Sequence, residues 1–396
     1  MREGIVRYIL LKNSRKKKRR NVPAVPCVQS HAQRLRSRCT VAKVLMRGNH
    51  IVAEAAIRAG CRYYFGYPIT PQNETPEYMA EKFSKLEGGV FIQAESEIAA
   101  INMVIGASMA GGRAMTSSSS PGISLKQEGI SFLSALELPA VIVNMSRGSP
   151  GLGNIAPAQS DYFQATRGGG HGDYRTIVLG PSSAQELADL TYEAFDLADR
   201  YRIPVVILGD GMLGQMMEPV EFPSEIPLKK IPHKDWILSG AKARPSRLIR
   251  SLFLDPIEEE EHNWKLMRKY EKIIREETRW ETFECHDAKM IVAAFGTAAR
   301  IAKGAIKRVR EQGLKVGLIR PISLWPFPNR AFRDLSKKVR HFFVFEMNMG
   351  QMVEDVRLAL EGTGEVHFYG RPGGIVLTPL ELARVISSHY FQKKLG

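Results

Sequence analysis

The sequence lacks several features that would assign it to a narrow class of protein. It contains no apolar run approaching the ~18–20 residues of a membrane-spanning helix. Its four cysteines, at positions 27, 39, 61 and 285, show no CxxC spacing. A disulfide framework and a cysteine-ligated metal or iron–sulfur site are therefore not expected. These absences predict a cytoplasmic chain with reduced thiols and no membrane span.

Basic residues are in excess at only one end of the chain. Residues 1–50 hold 14 Lys and Arg with one acidic residue, whereas the other 346 residues hold 42 basic and 40 acidic ones. The folded body is therefore nearly neutral and is not expected to bind nucleic acid. Residues 1–45 include six consecutive basic residues at 15–20, which predicts a disordered leader. Alternatively, translation starts at Met46.

The remaining chain predicts an α/β protein of more than one domain. From 46 to 218, short apolar strands alternate with helices, which favours a mainly parallel sheet covered on both faces. Residues 219–287 are rich in proline and then in charge, and we interpret them as an interdomain connection or an arm that contacts a partner. Residues 288–396 repeat the strand–helix alternation and predict a smaller α/β domain.

One predicted helix, over 97–110, carries an acidic residue on an apolar face. Glu97, Ile101 and Ile105 are spaced four residues apart and so share that face, with Ser108 at its end. A carboxylate buried there must be neutralised or hydrogen-bonded, and burial raises the pKa of a carboxyl group. The alternative is that Glu97 only stabilises the start of the helix, where acidic residues are common.

Three further segments are predicted to meet at one edge of the sheet. A proline-braced turn occupies 67–71, a loop rich in hydroxyl groups occupies 116–122, and a glycine-rich loop begins at 146. Each follows a predicted strand, and parallel sheets bind ligands outside the carboxyl ends of their strands. We therefore expect these segments to form a binding site together.

Several ordered motifs resemble a known family. They are GYPITPQ at 66–72, ESEIAA at 95–100, SSPGISL at 119–125, SRGSPG at 146–151 and HGD at 171–173. In these motifs the chain resembles the alpha subunits of the 2-oxoacid:ferredoxin oxidoreductases, and the sequences at 159–167 and 209–215 resemble the 2-oxoisovalerate branch. The resemblance implies a thiamine-diphosphate pyrimidine-binding domain followed by a transketolase C-terminal-like α/β domain.

The resemblance also implies roles for individual residues. Glu97 would hydrogen-bond the aminopyrimidine ring and promote the proton transfer that activates the cofactor, with Glu95 as a competitor on another helix face. Thr70 would contact the 2-oxoacid, and Arg147 would grip its carboxylate with two hydrogen bonds. Without the resemblance, Thr70 is interpreted as a residue of a structural turn and Arg147 as a surface arginine.

Other residues are implied with less specific roles. In addition to Glu97, the residues that would contact the cofactor are Tyr67, Pro68, Ser119, Ser120 and Gly122. His171 and Asp173 match a family motif, but we assign them no chemical step, and a structural turn explains them equally well.

No metal site is predicted in this chain. Gly209-Asp210-Gly211 resembles the start of a diphosphate motif, yet no asparagine follows before Asn263. We therefore interpret it as an ordinary strand end. The resemblance then implies that a partner beta subunit holds the diphosphate and Mg²⁺ and brings an iron–sulfur cluster. A ferredoxin-like subunit would add clusters, and a gamma subunit would help to bind coenzyme A.

The implied activity requires those partners. A branched-chain 2-oxoacid would be decarboxylated to acyl-CoA and CO2, and its electrons would pass to ferredoxin. Alternative substrates are pyruvate and 2-oxoglutarate, and the second carboxylate of the latter would need a cation such as Arg167 or Lys126. A further alternative is a scaffold subunit without catalysis.

Overall fold

The computed structural model describes residues 43–395. The predictions for the basic run at 15–20 and for Cys27 and Cys39 lie outside the described residues. Among the described residues, no helix combines the length and the apolar character that crossing a bilayer requires.

Strands and helices alternate through most of the described chain. The strands are β1 (Val44–Arg47), β2 (Tyr63–Gly66), β3 (Val90–Gln93), β4 (Ala114–Ser118), β5 (Ala140–Ser146), β6 (Ile177–Leu179), β7 (Pro204–Asp210), β8 (Met217–Val220), β9 (Trp280–Phe283), β10 (Met290–Ala293), β11 (Val316–Pro321), β12 (Ser323–Trp325), β13 (His341–Glu346) and β14 (Glu365–Gly370). The helices are α1 (Gly48–Arg58), α2 (Glu74–Phe83), α3 (Glu97–Met109), α4 (Ser120–Ala135), α5 (Tyr162–Arg167), α6 (Ala184–Tyr201), α7 (Gly211–Gln215), α8 (Pro256–Glu276), α9 (Gly296–Glu311), α10 (Asn329–Ser336), α11 (Met352–Leu360) and α12 (Pro379–Gln392), with a 3₁₀ turn at Leu228–Lys230.

Two mainly parallel sheets carry the fold, as predicted. The larger sheet has the order β12-β6-β7-β5-β4-β2-β3, and only its edge strand β12 is antiparallel to its neighbour. The smaller sheet has the order β14-β13-β10-β11-β9, with β9 antiparallel at the edge. Central strands such as β5 and β7 are buried along their whole length, as expected for a sheet covered on both faces.

The strands cross the boundaries that the sequence suggested. Val44 and Leu45, predicted to belong to a disordered leader, lie in β1, which pairs antiparallel with β8. The segment 219–287 contributes α8, whose Leu266, Tyr270 and Ile273 are buried in the core of the larger sheet, and β9, which extends the smaller sheet. It is therefore part of the folded body. Conversely, β12 comes from the second unit and pairs with β6 of the first.

The two units also share a hydrophobic core. The Tyr162 ring lies 5.4 Å from the Phe295 ring, and the Tyr162 hydroxyl donates to Asp355 at 2.7 Å. Gln159 donates to the Phe295 carbonyl and accepts from the Met347 backbone. The glycine-rich loop after β5 is thus held between the units, and its short helix α5 was not predicted.

Close packing of α3 on α4 positions the predicted acidic face. Glu97, Ile101, Ile105 and Ser108 are at most 8% exposed, so the face read from the sequence is confirmed as buried. Gly122 and Gly129 lie on the opposing side of α4, and a Cβ on Gly129 would come within 2.5 Å of the Ile101 side chain. The glycines therefore let the two helices approach closely.

Candidate active site

Three adjacent strands bring the candidate segments together. β5, β4 and β2 are neighbours and parallel, so their carboxyl ends meet at one edge, as predicted. The guanidinium of Arg147, which follows β5, donates from Nη1 to the Thr70 carbonyl oxygen at 2.9 Å. The turn after β2 and the loop after β5 are thus in direct contact.

Glu97 is the first residue of α3, and its side chain is directed inward. Ser96 provides the helix cap, because its Oγ accepts from the Ala99 backbone N–H at 3.2 Å. Glu97 is only 6% exposed, whereas Glu95 is exposed. The capping alternative therefore does not account for Glu97. The helix N-terminus nevertheless favours a negative charge at this position.

The Glu97 carboxylate lies against Gly122 and Ser118. A Cβ added to Gly122 would sit 2.6 Å from Glu97 Oε1 and 2.1 Å from Ser118 Oγ, so both oxygens pack against the glycine where a side chain would otherwise lie. Ser118 Oγ is buried and has no hydrogen-bond partner. A glycine is therefore required here for steric reasons.

Lys126 lies one turn beyond Gly122 on α4 and is completely buried. Its Nζ is 3.5 Å from the Glu97 carbonyl oxygen. Burial lowers the pKa of Lys126 to about 8, and the attraction of Glu97 partly opposes that shift. The Lys126 amine thus lies against the backbone of Glu97 in the α3–α4 contact. The sequence offered Lys126 only as a possible substrate cation.

The prediction of a hydroxyl-rich loop over 116–122 is wrong, because these residues belong mainly to a strand and a helix. Residues 116–118 end β4, Ser119 precedes α4, and Ser120 begins that helix. The prediction placed Pro121 in the loop. Proline is nevertheless favoured in the first turn of a helix, where its missing N–H costs nothing. Ser119 Oγ is buried without a hydrogen-bond partner.

Ser120 connects the start of α4 to the loop that follows β5. Its hydroxyl donates to Asp161 Oδ2 at 2.6 Å and accepts from the Arg147 backbone N–H at 3.0 Å. Asn144 also donates to Asp161 Oδ2, at 2.8 Å. Burial raises the pKa of Asp161, and these hydrogen bonds oppose the rise. Ser120 therefore anchors the loop that carries Arg147, and Asp161 was not found from the sequence because it lies 41 residues away.

Arg147, for which the resemblance implied a grip of two hydrogen bonds on the substrate carboxylate, is not the surface arginine of the alternative interpretation. It is 7% exposed, and Nη1 and Nη2 donate to the backbone carbonyl oxygens of Thr70 and Leu152. Its Nε is buried and has no partner. In this structure the guanidinium braces the turn of Thr70, and Nε is its unsatisfied donor.

The turn itself faces outward. Tyr67, Pro68 and Thr70 are exposed, and the Thr70 carbonyl is held by Arg147. Behind the turn, Ser117 Oγ donates to Gln72 Oε1, and Gln72 Nε2 is buried without a partner. Gln72 is a polar residue of the site that we had not singled out, although it lies inside the same motif.

Two predicted motifs remain, one on the surface and one, Gly209-Asp210-Gly211, at the edge of this cluster, where a Cβ on Gly211 would lie 3.1 Å from Pro71. His171 and Asp173 are exposed, and the His171 ring packs edge-on against Phe132 at 5.9 Å. Asp210 is buried and accepts from the N–H groups of Met212 and Leu213 at 3.0 and 3.1 Å. It therefore caps α7, which fits our interpretation of this motif as a strand end.

Comparisons with known proteins assign the chain to a family. Residues 54–282 match the family model "Pyruvate flavodoxin/ferredoxin oxidoreductase, thiamine diP-bdg", and residues 288–382 match "Pyruvate:ferredoxin oxidoreductase core domain II". The ketoisovalerate oxidoreductase subunit VorB of Methanothermobacter marburgensis is 48% identical over 87% of this chain and 97% of that protein. The 2-oxoglutarate synthase subunit KorA of Archaeoglobus fulgidus is 41% identical over 79% of this chain and 90% of that protein.

Solved structures agree with the fold. The 2-oxoglutarate:ferredoxin oxidoreductase of Magnetococcus marinus, with 2-oxoglutarate, coenzyme A and succinyl-CoA bound, has a TM-score of 0.78 at 27% identity and aligns with 88% of this chain and 65% of that one. A split-gene transketolase, at 13% identity and a TM-score of 0.53, covers 87% of this chain and 97% of that one and shares the fold alone. The resemblance and the α/β fold class are confirmed: the chain belongs to the pyruvate flavodoxin/ferredoxin oxidoreductase family and carries that family's thiamine-diphosphate-binding domain and core domain II.

Proposed function

We propose that this chain is the pyrimidine-binding alpha subunit of a thiamine-diphosphate-dependent 2-oxoacid:ferredoxin oxidoreductase whose substrate is a branched-chain 2-oxoacid. The products are acyl-CoA, CO2 and reduced ferredoxin. The observation that carries the proposal is the inward, buried carboxylate of Glu97, which packs against Gly122 and Ser118 at the carboxyl edge of the sheet. Relatives named for ketoisovalerate, at 48% and 50% identity, support the substrate.

The residues at this edge fit the aminopyrimidine half of the cofactor. Gly122 lets Glu97 and Ser118 pack against the first turn of α4, and the Oγ atoms of Ser118 and Ser119 are buried without partners. A polar ring with several nitrogens would satisfy such groups, whose burial without a hydrogen bond is otherwise costly. When bound, thiamine diphosphate supplies a carbon nucleophile that adds to the 2-oxo group and accepts electrons after CO2 leaves.

Glu97 would hold and move a proton at a ring nitrogen. Its carboxylate is removed from water, and the buried Lys126 Nζ lies 3.5 Å from the backbone carbonyl oxygen of the same residue. The positions of Ser118 and Gly122 would orient the ring against that carboxylate. Arg147 would hold the turn of Thr70 in place and offer Nε to the substrate carboxylate.

Two cations considered for a dicarboxylate substrate are already engaged. Arg167 lies 3.2 Å from Asp355 and 3.4 Å from Glu354, and it stacks over Phe163. Lys126 is buried in the α3–α4 contact. Neither is free to pair with the second carboxylate of 2-oxoglutarate, which favours an apolar acyl chain. Rates on 2-oxoisovalerate, 2-oxoglutarate and pyruvate would separate the three substrates.

Exposed apolar side chains near the site support a partner subunit. They are Tyr67, Ile98, Leu125, Leu152 and Ile155, each between 38% and 83% exposed. Such side chains beside a polar site are typical of protein interfaces. The partner would be the beta subunit, which holds the diphosphate and Mg²⁺. Iron–sulfur clusters would also come from partner subunits, because Cys61 and Cys285 are lone free thiols in the described residues. A cytoplasmic location remains a prediction.

The test compares Glu97→Gln with Glu95→Gln in the purified complex. Glutamine keeps the shape of the side chain but cannot exchange the proton, so Glu97→Gln is expected to lower 2-oxoisovalerate-dependent ferredoxin reduction by about 10²–10⁴-fold. Glu95 is exposed two residues away, and its variant should retain wild-type turnover. Gel filtration checks that both complexes assemble. Wild-type turnover by Glu97→Gln would favour a scaffold role instead.

A further inference from the structure

A second cluster of polar side chains lies on the smaller sheet, in the unit that does not contain Glu97. His341 begins β13, and Glu365 and His367 belong to β14, the edge strand. His341 is opposite Glu365 in the parallel register, and His367 follows two residues later. Because side chains alternate between the faces of a strand, all three lie on one face of the sheet.

The donor atoms of these side chains point toward one another. His341 Nδ1 is 3.6 Å and His367 Nε2 is 3.7 Å from the same oxygen, Glu365 Oε2. All three donor atoms lie within 4.8 Å of one another. Both nitrogens are buried and make no hydrogen bond. Two unsatisfied imidazole nitrogens that face one carboxylate oxygen are an arrangement that a cation would complete.

We propose that His341, His367 and Glu365 bind a divalent transition-metal ion of the Zn²⁺ type. Two imidazole nitrogens and one carboxylate oxygen form a ligand set that suits Zn²⁺, and three protein ligands leave a position for water. Bonds of about 2.0–2.1 Å in a tetrahedral array place neighbouring ligands roughly 3.4 Å apart. The two histidine–glutamate separations are close to that value, so small side-chain rotations complete the site.

The neighbouring side chains include a cation that competes for Glu365 and a candidate for a fourth metal ligand. Lys393 Nζ lies 3.2 Å from Glu365 Oε2, so the bound ion replaces this ammonium group at the carboxylate. The His389 ring on α12 is 4.2 Å from the His367 ring, and its Nε2 is also buried without a partner. His389 borders a groove of about 500 Å³ that is also lined by Arg384, and this groove gives the ion access from solvent.

The ion would tie the edge of the smaller sheet together. Its ligands come from β13 and from the edge strand β14, which has a neighbour on one side only. A ligand that binds only the folded state stabilises it in proportion to RT ln(1 + [L]/Kd). The ion would therefore stabilise the folded state, and the site is independent of the function proposed above.

Zn²⁺ and Co²⁺ titrations of the metal-free, full-length chain test this proposal at pH 7.5. We expect one equivalent of Zn²⁺ to bind and to raise Tm, and Co²⁺ to give the visible absorption of a tetrahedral ion. His367→Gln and Glu365→Gln should each weaken Zn²⁺ binding by at least about tenfold, since each removes one of three ligands. Glu365 is half exposed, so its substitution should not prevent folding.

Two variants sharpen the result. His286→Gln is the matched control, because the His286 side chain is 75% exposed and lies outside the cluster, and its affinity should equal that of wild type. Lys393→Met removes the competing ammonium and should bind Zn²⁺ more tightly than wild type. The proposal is overturned if the metal produces no Tm shift at 100-fold excess, if His367→Gln and Glu365→Gln bind like wild type, or if Co²⁺ gives thiolate charge-transfer bands.

Discussion

Gly122→Ala is the substitution that most directly probes the packing of Glu97 against α4. The added methyl carbon would lie 2.6 Å from Glu97 Oε1 and 2.1 Å from Ser118 Oγ, distances that real contacts of this kind do not reach. Both side chains must therefore move away. The variant changes no charge and no hydrogen-bonding group, so its effect reports on the positions of Glu97 and Ser118.

The size of the effect follows from these distances. To restore 3.0 Å, Glu97 Oε1 must retreat by about 0.4 Å and Ser118 Oγ by about 0.9 Å. A displacement of about 1 Å in a catalytic group can cost about 10²-fold in rate, so we expect turnover to fall by roughly 10–100-fold. Overpacking in a buried contact costs about 1–3 kcal/mol, which the higher helix propensity of alanine, about 1 kcal/mol, partly offsets.

Gly106→Ala provides the matched control. Gly106 lies on α3, and a Cβ there would meet nothing within 4 Å, so this variant carries only the gain in helix propensity. Both variants would be assayed in the purified complex for 2-oxoacid-dependent ferredoxin reduction and for Tm. Gly122→Ala with turnover within twofold of wild type would refute the inference that the cofactor ring depends on the position of the Glu97 carboxylate.

Two further variants address the buried charges of the site. For Lys126, whose folded-state pKa of about 8 is below the usual 10.5, the unfolded chain binds more protons between these values, so its contribution to stability rises with pH. Relative to Lys126→Met, wild type should gain about 2 kcal/mol of unfolding free energy between pH 8 and pH 10. Urea unfolding measures this difference, and unfolding free energies of the two proteins that change in parallel with pH would contradict it. Arg147→Lys cannot donate to both Thr70 and Leu152, so it should lose about 1–3 kcal/mol and raise KM for the 2-oxoacid, whereas an unchanged KM and urea midpoint would contradict the bracing role.

The central helix and its buried face were predictable from local pattern. Glu97, Ile101 and Ile105 recur every four residues, and this spacing alone places them on one side of a helix. The convergence of the three segments was also predictable, because alternating strands and helices produce parallel strands with their carboxyl ends at one edge. Both expectations are met by the described residues.

The start of α4 shows where local signals mislead. A run of four serines, a proline and a glycine has the composition of a loop, yet the helix begins at Ser120. Proline is compatible with a first helical turn, and the contact with α3 favours the glycine there. Local propensity is weak compared with the packing that decides such a boundary.

The sequence by itself determined the fold class, the family and the apolar face that buries Glu97, because each depends on residue spacing or on motifs. Only the tertiary structure decided that Arg147 braces Thr70, that Lys126 is buried against the Glu97 backbone and that β9 and β12 join sheets outside their expected units. It also brought His341 to Glu365 and His367, 24 and 26 positions later in the chain. The physical reason is that these contacts depend on distances between side chains from separate segments, which no local periodicity encodes.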